Sequence, residues 1–261
     1  MYDAFSSDYD RFVNWSARLV AELPFLERQI SLISQQSSHP PTILDAACGT
    51  GMHAIALAQR GYPVAGADLS TGMIARAQEN SVQAGVAVRF EAAGFGGLRQ
   101  KFHDGPPPTL PFDLLLCLGN SLPHILSDTE LASALQDFSA CLRSGGIVII
   151  QNRNFDSVLA KGERWMEPQS YQEGDADWLF LRFYDYQTDG LLTFNVVTLQ
   201  RAGKDGWTQR ISSTPLRPWR YAQLLAATIT NGFGDVALYG DMTGAPYDPG
   251  SSGNLVLVAT K

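Results

Sequence analysis

Residues 44–51, LDAACGTG, are the stretch on which the fold of this 261-residue chain turns. The apolar run TILDAA leads into it as a short strand. Residues 52–60 follow as a helix, which Gly61 is placed to end. A strand that passes through a glycine turn into a helix opens a parallel sheet, whose ligands bind beyond the strand carboxyl ends. Gly49 and Gly51 carry no Cβ, so the backbone there can approach a ligand closely. PVAGAD reads as the second strand and ends at Asp68, 17 residues after Gly51. A carboxylate at that position can accept hydrogen bonds from both hydroxyls of a ribose.

The alternation continues outward. Ser70 can cap a helix ending near Gly85, and VAVRF is a third strand. Residues 94–111 are rich in Gly and Pro and read as a long loop. FDLLLCL is apolar at nearly every position, as a strand buried on both faces is. Ser127 and Glu130 form a capping-box pattern ahead of a stripe of Leu131, Leu135, Phe138 and Leu142. GIVIIQ is the fifth strand. Before this core, Phe12, Trp15, Leu19 and Leu23 recur at helical spacing, and a second helical stretch with Phe25, Leu26, Ile30 and Ile33 follows Pro24. After residue 160 the pattern changes to WLFLRFYDY and LLTFNVVTLQ around Asp189-Gly190, a hairpin signal, with WTQRISS as a third antiparallel strand. Pro218 opens a last helix, and DVALYGDM and NLVLVATK end the chain as an antiparallel pair. The expectation is an α/β fold with a helical arm at 1–38, a core of 39–160 and 216–261, and an antiparallel β insert at 161–215.

Composition narrows the function classes. Net charge is −7 and the pI about 5.0, a field that repels phosphate backbones, so no nucleic-acid partner is expected. No apolar run approaches the roughly 20 residues that cross a bilayer, and MYDAFSSDYDRF has no signal-peptide pattern. A cytoplasmic chain with buried, reduced Cys48, Cys117 and Cys141 is expected. No CxxC or HExxH spacing supports a metal site.

A glycine loop with a distal acid is shared by nicotinamide-binding domains, and Gly49-x-Gly51-x-x-Ala54 satisfies a loose dinucleotide fingerprint. Asp45 separates the readings. A carboxylate four residues before the first glycine suits the ammonium of a methionyl group and serves a pyrophosphate poorly. With strand, loop and acid in place, the chain resembles class I S-adenosylmethionine-dependent methyltransferases, and within them the glycine and sarcosine N-methyltransferase group. LDAACGTG (44–51), VAGADLSTGM (64–73), CLGNSLPHI (117–125) and GGIVIIQNRNFD (145–156) carry the resemblance.

The resemblance implies a Rossmann-like sheet, mostly parallel with an antiparallel last strand, and S-adenosylmethionine as cofactor with S-adenosylhomocysteine as product. It implies Asp45, Ala47 and Gly49 at the methionine end, Gly51 among the cofactor-binding residues, Asp68 at the ribose, and Leu69 and Met73 beside the adenine. Helix-face core packing is the other reading of Met73. Gly94, with Phe95 after it, stands where relatives commonly place Asp or Asn toward the adenine amino group, so backbone groups there would replace a side chain. Leu118 ends the fourth strand. Asn120 can orient a substrate or a cofactor carboxylate. His124 is a structural histidine, a cofactor contact or a general base, and Arg153 a grip for a substrate carboxylate or a surface ion pair. Tyr9, Trp15 and Arg18 would come from an arm folded over the cofactor, although Trp15 also fits the apolar stripe.

Transfer from a sulfonium to a neutral amine needs alignment more than a base, whereas a hydroxyl acceptor needs one, with His124 as candidate. The expected enzyme is therefore a methyltransferase acting on a small polar molecule, N-methylation of an amine or amino acid first and O-methylation second. A non-catalytic nucleoside binder remains open, and an NAD-dependent oxidoreductase lacks its catalytic pattern here. Tyr184, Tyr186, Arg217, Trp219, Arg220 and Tyr221 lie in or beside the insert, as a substrate pocket or as strand-face packing.

Overall fold

The computed structural model describes residues 8–34, 39–203 and 206–261. The ends of the expected helical arm (1–7, 35–38) and two residues of the turn after Gly203 lie outside the described residues. The elements run α1 (Trp15–Ser34), β1 (Ile43–Asp45), α2 (Met52–Ala58), β2 (Val64–Asp68), α3 (Thr71–Gln83), β3 (Arg89–Ala92), α4 (Leu98–Phe102) and β4 (Phe112–Cys117). After a 3-10 turn at Leu122–His124 come α5 (Asp128–Cys141), β5 (Leu142–Arg153) and α6 (Phe155–Lys161). The insert holds β6 (Gln169–Glu173), β7 (Ala176–Tyr186), β8 (Leu192–Ala202) and β9 (Thr208–Leu216), and α7 (Tyr221–Thr230), β10 (Gly234–Tyr239) and β11 (Asn254–Thr260) close the core.

Seven strands form one sheet in the order β10-β11-β5-β4-β1-β2-β3. β1, β2, β3, β4 and β5 pair in parallel, and β11 runs antiparallel to both β5 and β10. This is the mostly parallel α/β sheet that the sequence implies, with β11 the reversed strand. Each face is covered by helices, which is why β1 and β4 read as continuous apolar runs. One face packs Phe102, Phe138 and Leu224 from α4, α5 and α7. The other packs Leu26, Ile55 and Ala77 from α1, α2 and α3. The order reverses between β1 and β4, so the cleft opens beyond the ends of β1, β2 and β4. Cys48, Cys117 and Cys141 are free and buried. No helix of the described residues is long and apolar enough to cross a membrane.

Four differences from the sequence expectation have local causes. Pro24 does not divide two helices; it lies inside the single helix α1. Pro24 is exposed while Leu23, Phe25, Leu26, Ile30 and Ile33 are buried, so its missing donor faces water and the packed stripe carries the helix through. Residues 98–102 of the expected loop are the short helix α4, whose first amides donate to Asp137 (Leu98 N to Oδ2, 2.8 Å; Arg99 N to Oδ1, 3.0 Å). The insert has four strands, β6-β7-β8-β9, not three. β6 is a mostly exposed polar edge with no alternation to betray it. The last helix begins at Tyr221, three residues after Pro218, where Gln223 Oε1 reaches back to accept the Arg220 amide at 3.0 Å.

Phe90 supports the glycine loop from below. Gly66 pairs directly with Phe90 across β2 and β3. A Cβ on Gly66 would fall 2.7 Å from the Phe90 ring and 3.1 Å from Cys48 Sγ. Gly66→Ala is therefore expected to cost about 1–3 kcal/mol by overpacking. In urea unfolding, G66A combined with F90L should cost about 1 kcal/mol less than the two single changes summed. Strict additivity would contradict the packing account.

Candidate active site

The loop after β1 is held by the acid at the end of β2. Asp68 Oδ2 accepts the Gly49 amide at 2.9 Å and Oδ1 accepts the Ser70 amide at 2.9 Å. A carboxylate oxygen can accept from a ligand hydroxyl as well as from a backbone amide. Ser70 Oγ in turn accepts the Met73 amide at 3.1 Å as the N-cap of α3, which sets Met73 at the cleft. Gly49 (φ +54) turns the chain so that the loop backbone faces the open space.

A cavity of about 350 Å³ lies beyond these strand ends. It is lined by Asp45, Ala47, Gly49, Asp68, Leu69, Met73, Gly94, Phe95, Leu118 and His124, and by Tyr9, Trp15 and Arg18 from the N-terminal segment. Gly51, expected at the cofactor, is not among its lining residues. It is the left-handed N-cap of α2 (φ +81), and a Cβ there would meet Phe90 at 2.7 Å and Ala77 at 2.9 Å. Its lack of a side chain serves packing beneath the loop.

Gly94 has a similar explanation. A Cβ on it would lie 3.1 Å from Leu69 Cδ1, so its absence makes room for Leu69. Leu69 is 80% exposed at the cavity rim, and Phe95 is fixed edge-on against Phe138 at 5.3 Å. A flat heterocycle fits between such soft and flat neighbours.

Asp45 is the least satisfied group of the site. It is 1% exposed, and its Oδ1 has no hydrogen-bond partner among the described residues. Burial, reinforced by the nearby negative charge of Asp68, pushes its carboxyl up to about 7. A buried orphan acceptor at the start of a glycine loop fits a cationic ligand group, and the methionyl ammonium of S-adenosylmethionine has that chemistry. Asp45 would hold the ammonium, Asp68 the ribose, and the Leu69, Met73 and Phe95 side chains the adenine.

Sequence reading missed the latch that closes this cavity. Asp10 Oδ1 accepts Thr50 Oγ1 at 2.6 Å and Trp15 Nε1 at 3.2 Å, while Oδ2 accepts Arg76 Nε at 3.0 Å and Asn80 Nδ2 at 3.2 Å. One carboxylate thus ties the arm to the glycine loop and to α3. Its neighbours Asp8 and Arg11 reach the insert through Arg210 and Glu173. The only hint was Thr50, a hydroxyl inside the loop motif with no assigned partner. Beneath Trp15, His53 shares a 2.6 Å contact with Glu22, which also takes Arg18.

A second cavity, of about 490 Å³, adjoins the first and shares Tyr9, Arg18, Gly119 and His124 with it. Asn120, Arg153, Gln151 and Asn254 line it from the core, and Met166, Arg182, Tyr184, Phe194, Val196 and Leu216 from the insert side. Asn120 is held left-handed (φ +66), and its Oδ1 accepts the Arg153 amide at 2.9 Å. Gln151 Oε1 accepts the Gly119 amide at 2.7 Å. Asn120 thereby fixes the Arg153 backbone and makes its first contact within the protein. The Arg153 guanidinium pairs with Glu163 and still lines the cavity. Burial lowers the His124 imidazole to about 4, so it stands neutral at physiological pH.

Of the other candidates, Tyr184 lines the second cavity, while Tyr186 hydrogen-bonds the Val158 and Glu163 carbonyls and Arg217 pairs with Asp128. Trp219 is buried with Nε1 on the Ile125 carbonyl, and Tyr221 packs on Tyr247. Arg220 caps α7. These five sit in packing or capping roles outside both cavities.

The methyltransferase-domain family matches residues 43–146. The glycine/sarcosine N-methyltransferase of Parasynechococcus marenigrum (strain WH8102) is 30% identical over 91% of this chain and 77% of its own length. An S-adenosylmethionine-dependent methyltransferase from Clostridium acetobutylicum has the same fold, with a TM-score of 0.74 at 15% identity over 99% of this chain and 98% of that one. The S-adenosylmethionine-bound amino pentose methyltransferase of Micromonospora echinaspora has a TM-score of 0.69 at 19% identity, covering 98% and 96%.

The state of Asp45 has a direct test. An acid whose native pKa lies above its unfolded value stabilises the fold below about pH 4 and loses that contribution as pH rises through about 7. Asp45→Asn should therefore gain about 2–3 kcal/mol on the unsubstituted, ligand-free protein between about pH 5 and about pH 8. It should also bind S-adenosylhomocysteine ~10- to 100-fold more weakly, the range for a charged hydrogen bond. Parallel stability profiles of the two proteins in urea titrations at each pH would show that Asp45 is not the strained group.

Proposed function

The chain belongs to the S-adenosylmethionine-dependent methyltransferases, in the family of the glycine/sarcosine N-methyltransferases, and on that premise we propose that it N-methylates a small amine that carries a carboxylate. The observation that carries this reading is the second cavity, which meets the first at Gly119 and His124 and is lined by Arg153. When bound, the cofactor supplies a sulfonium methyl, which an amine nitrogen takes in one in-line displacement. The N–CH₃ bond forms as the S–CH₃ bond breaks, and the sulfur keeps the electron pair.

The chain's own residues bind, orient and exclude water. Arg153 grips the acceptor carboxylate bidentately, with its backbone fixed by Asn120. Tyr9 and Trp15 cover the cofactor cavity from the arm, and the insert (161–215) covers the acceptor. Alignment of this kind can supply most of the acceleration for a neutral nucleophile. Burial disfavours the imidazolium that His124 would become as a general base, which supports nitrogen over oxygen as acceptor. His124 is instead a wall residue common to both cavities.

Thermal-shift titration with S-adenosylmethionine, S-adenosylhomocysteine and NAD, followed by S-adenosylhomocysteine release across a panel of amines and amino acids, checks the reading. The first two ligands should stabilise the protein, Asp68→Ala should remove most of that response, and Arg153→Gln should raise KM for carboxylate-bearing amines ~10- to 100-fold, as a lost charged hydrogen bond does. Release only with hydroxyl acceptors would overturn the assignment of nitrogen.

A further inference from the structure

Arg182 lies at a position where a strand normally buries an apolar side chain. β7 is an interior strand of its sheet, and Trp178, Phe180, Arg182 and Tyr184 alternate onto one face. Arg182 pairs across to Val196 and Tyr184 to Phe194, and all four line the second cavity. A guanidinium there is costly to desolvate. Its compensation within the protein is small: Nη2 reaches the Glu167 carbonyl at 3.4 Å, and the group lies 4.8 Å from the Phe12 ring centroid. Its Nε is buried with no acceptor.

The charges around the cavity are Arg18, Glu22, Arg153 and Arg182. Arg18 is paired with Glu22, and Arg153 with Glu163. Arg182 has no carboxylate partner among the described residues, so among them the cavity has a positive charge that no carboxylate offsets. An amino carboxylate with its nitrogen unprotonated, the form that attacks, carries one negative charge. The match is one of sign.

Size adds a second constraint. About 490 Å³ lies in the range of cavities that take drug-sized ligands, far beyond what the few heavy atoms of glycine fill. The wall is divided: Asn120, Gln151 and Asn254 make its core side polar, while Phe12, Met166, Phe194, Val196 and Leu216 form an apolar face opposite.

We propose that Arg182 completes a carboxylate clamp with Arg153 and that the acceptor is an amino acid with an apolar side group larger than that of glycine. This rests on the N-methyltransferase reading above. The carboxylate lies between the two guanidinia, the side group lies on Phe194 and Val196, and the amine is left toward Gly119. The surplus positive charge also favours the unprotonated amine over its ammonium form.

The test pairs glycine, leucine and phenylalanine with isopentylamine and phenethylamine, the amines that leucine and phenylalanine leave on losing their carboxylate. Calorimetric titration into the S-adenosylhomocysteine complex reads binding, and S-adenosylhomocysteine release reads turnover. Leucine or phenylalanine should bind at least tenfold more tightly than glycine and than its own carboxylate-free amine. Arg182→Gln should cost the acids at least tenfold more in kcat/KM than the amines, and Arg182→Lys should recover part of that loss. Unchanged cofactor thermal shift in both variants checks that they fold. Tightest binding of glycine, or equal losses on acids and amines, would overturn the clamp while leaving N-methylation in place. Absence of turnover with every amine and acid would instead overturn the N-methyltransferase reading on which the clamp depends.

Discussion

The hydrogen bond from the Gly49 amide to Asp68 Oδ2, 2.9 Å long, joins the turn after β1 to the end of β2 and gives the cleft its shape. A parallel sheet offers a crevice where its strand order reverses, but the crevice becomes a site only if the loops beyond it are fixed. Asp68 does this with two backbone donors, and Phe90 fills the space beneath. The same arrangement brings Asp45 and Asp68 close together in a buried region. A cationic ligand relieves that repulsion, and the unliganded protein bears it. Stability given up at a binding site in this way is common where function needs a strained group.

The N-terminal segment connects this site to the second sheet. Asp10 binds the glycine loop, Asp8 and Arg11 bind the insert, Tyr9 lines both cavities and Phe12 the second. Phe12 also packs edge-on against Phe180 at 5.5 Å. The two cavities therefore share a wall, at Tyr9, Arg18, Gly119 and His124, across which the methyl would be presented in the proposed reaction. Exclusion of water follows from the same closure.

The sheet was legible in the sequence because its strands are short apolar runs punctuated by glycine, and because Asp45, Gly49 and Asp68 sit at strand ends. Pro24 misled because local propensity yields to a buried stripe on one helix face. β6 was invisible because a mostly exposed edge strand needs no alternation. Gly51 shows what spacing leaves out: a glycine can serve a ligand or a packed ring, and the closeness of Phe90 was visible only in the structure. Asp10 could not be found from spacing, since three of its four donors, on Thr50, Arg76 and Asn80, come from residues distant in the chain. Arg182 did leave a trace, as a charge on the inward face of an aromatic strand, but its meaning required the charges of β5 and α1 to be placed around the same cavity.

A crystal structure of the protein with S-adenosylhomocysteine bound tests the account most directly. The predicted result is the homocysteine ammonium against Asp45, the ribose hydroxyls on Asp68, the adenine between Leu69 and Phe95, and the sulfur facing the second cavity past Gly119. A ligand with its ribose away from Asp68, or its sulfur turned from the Arg153 cavity, would contradict it.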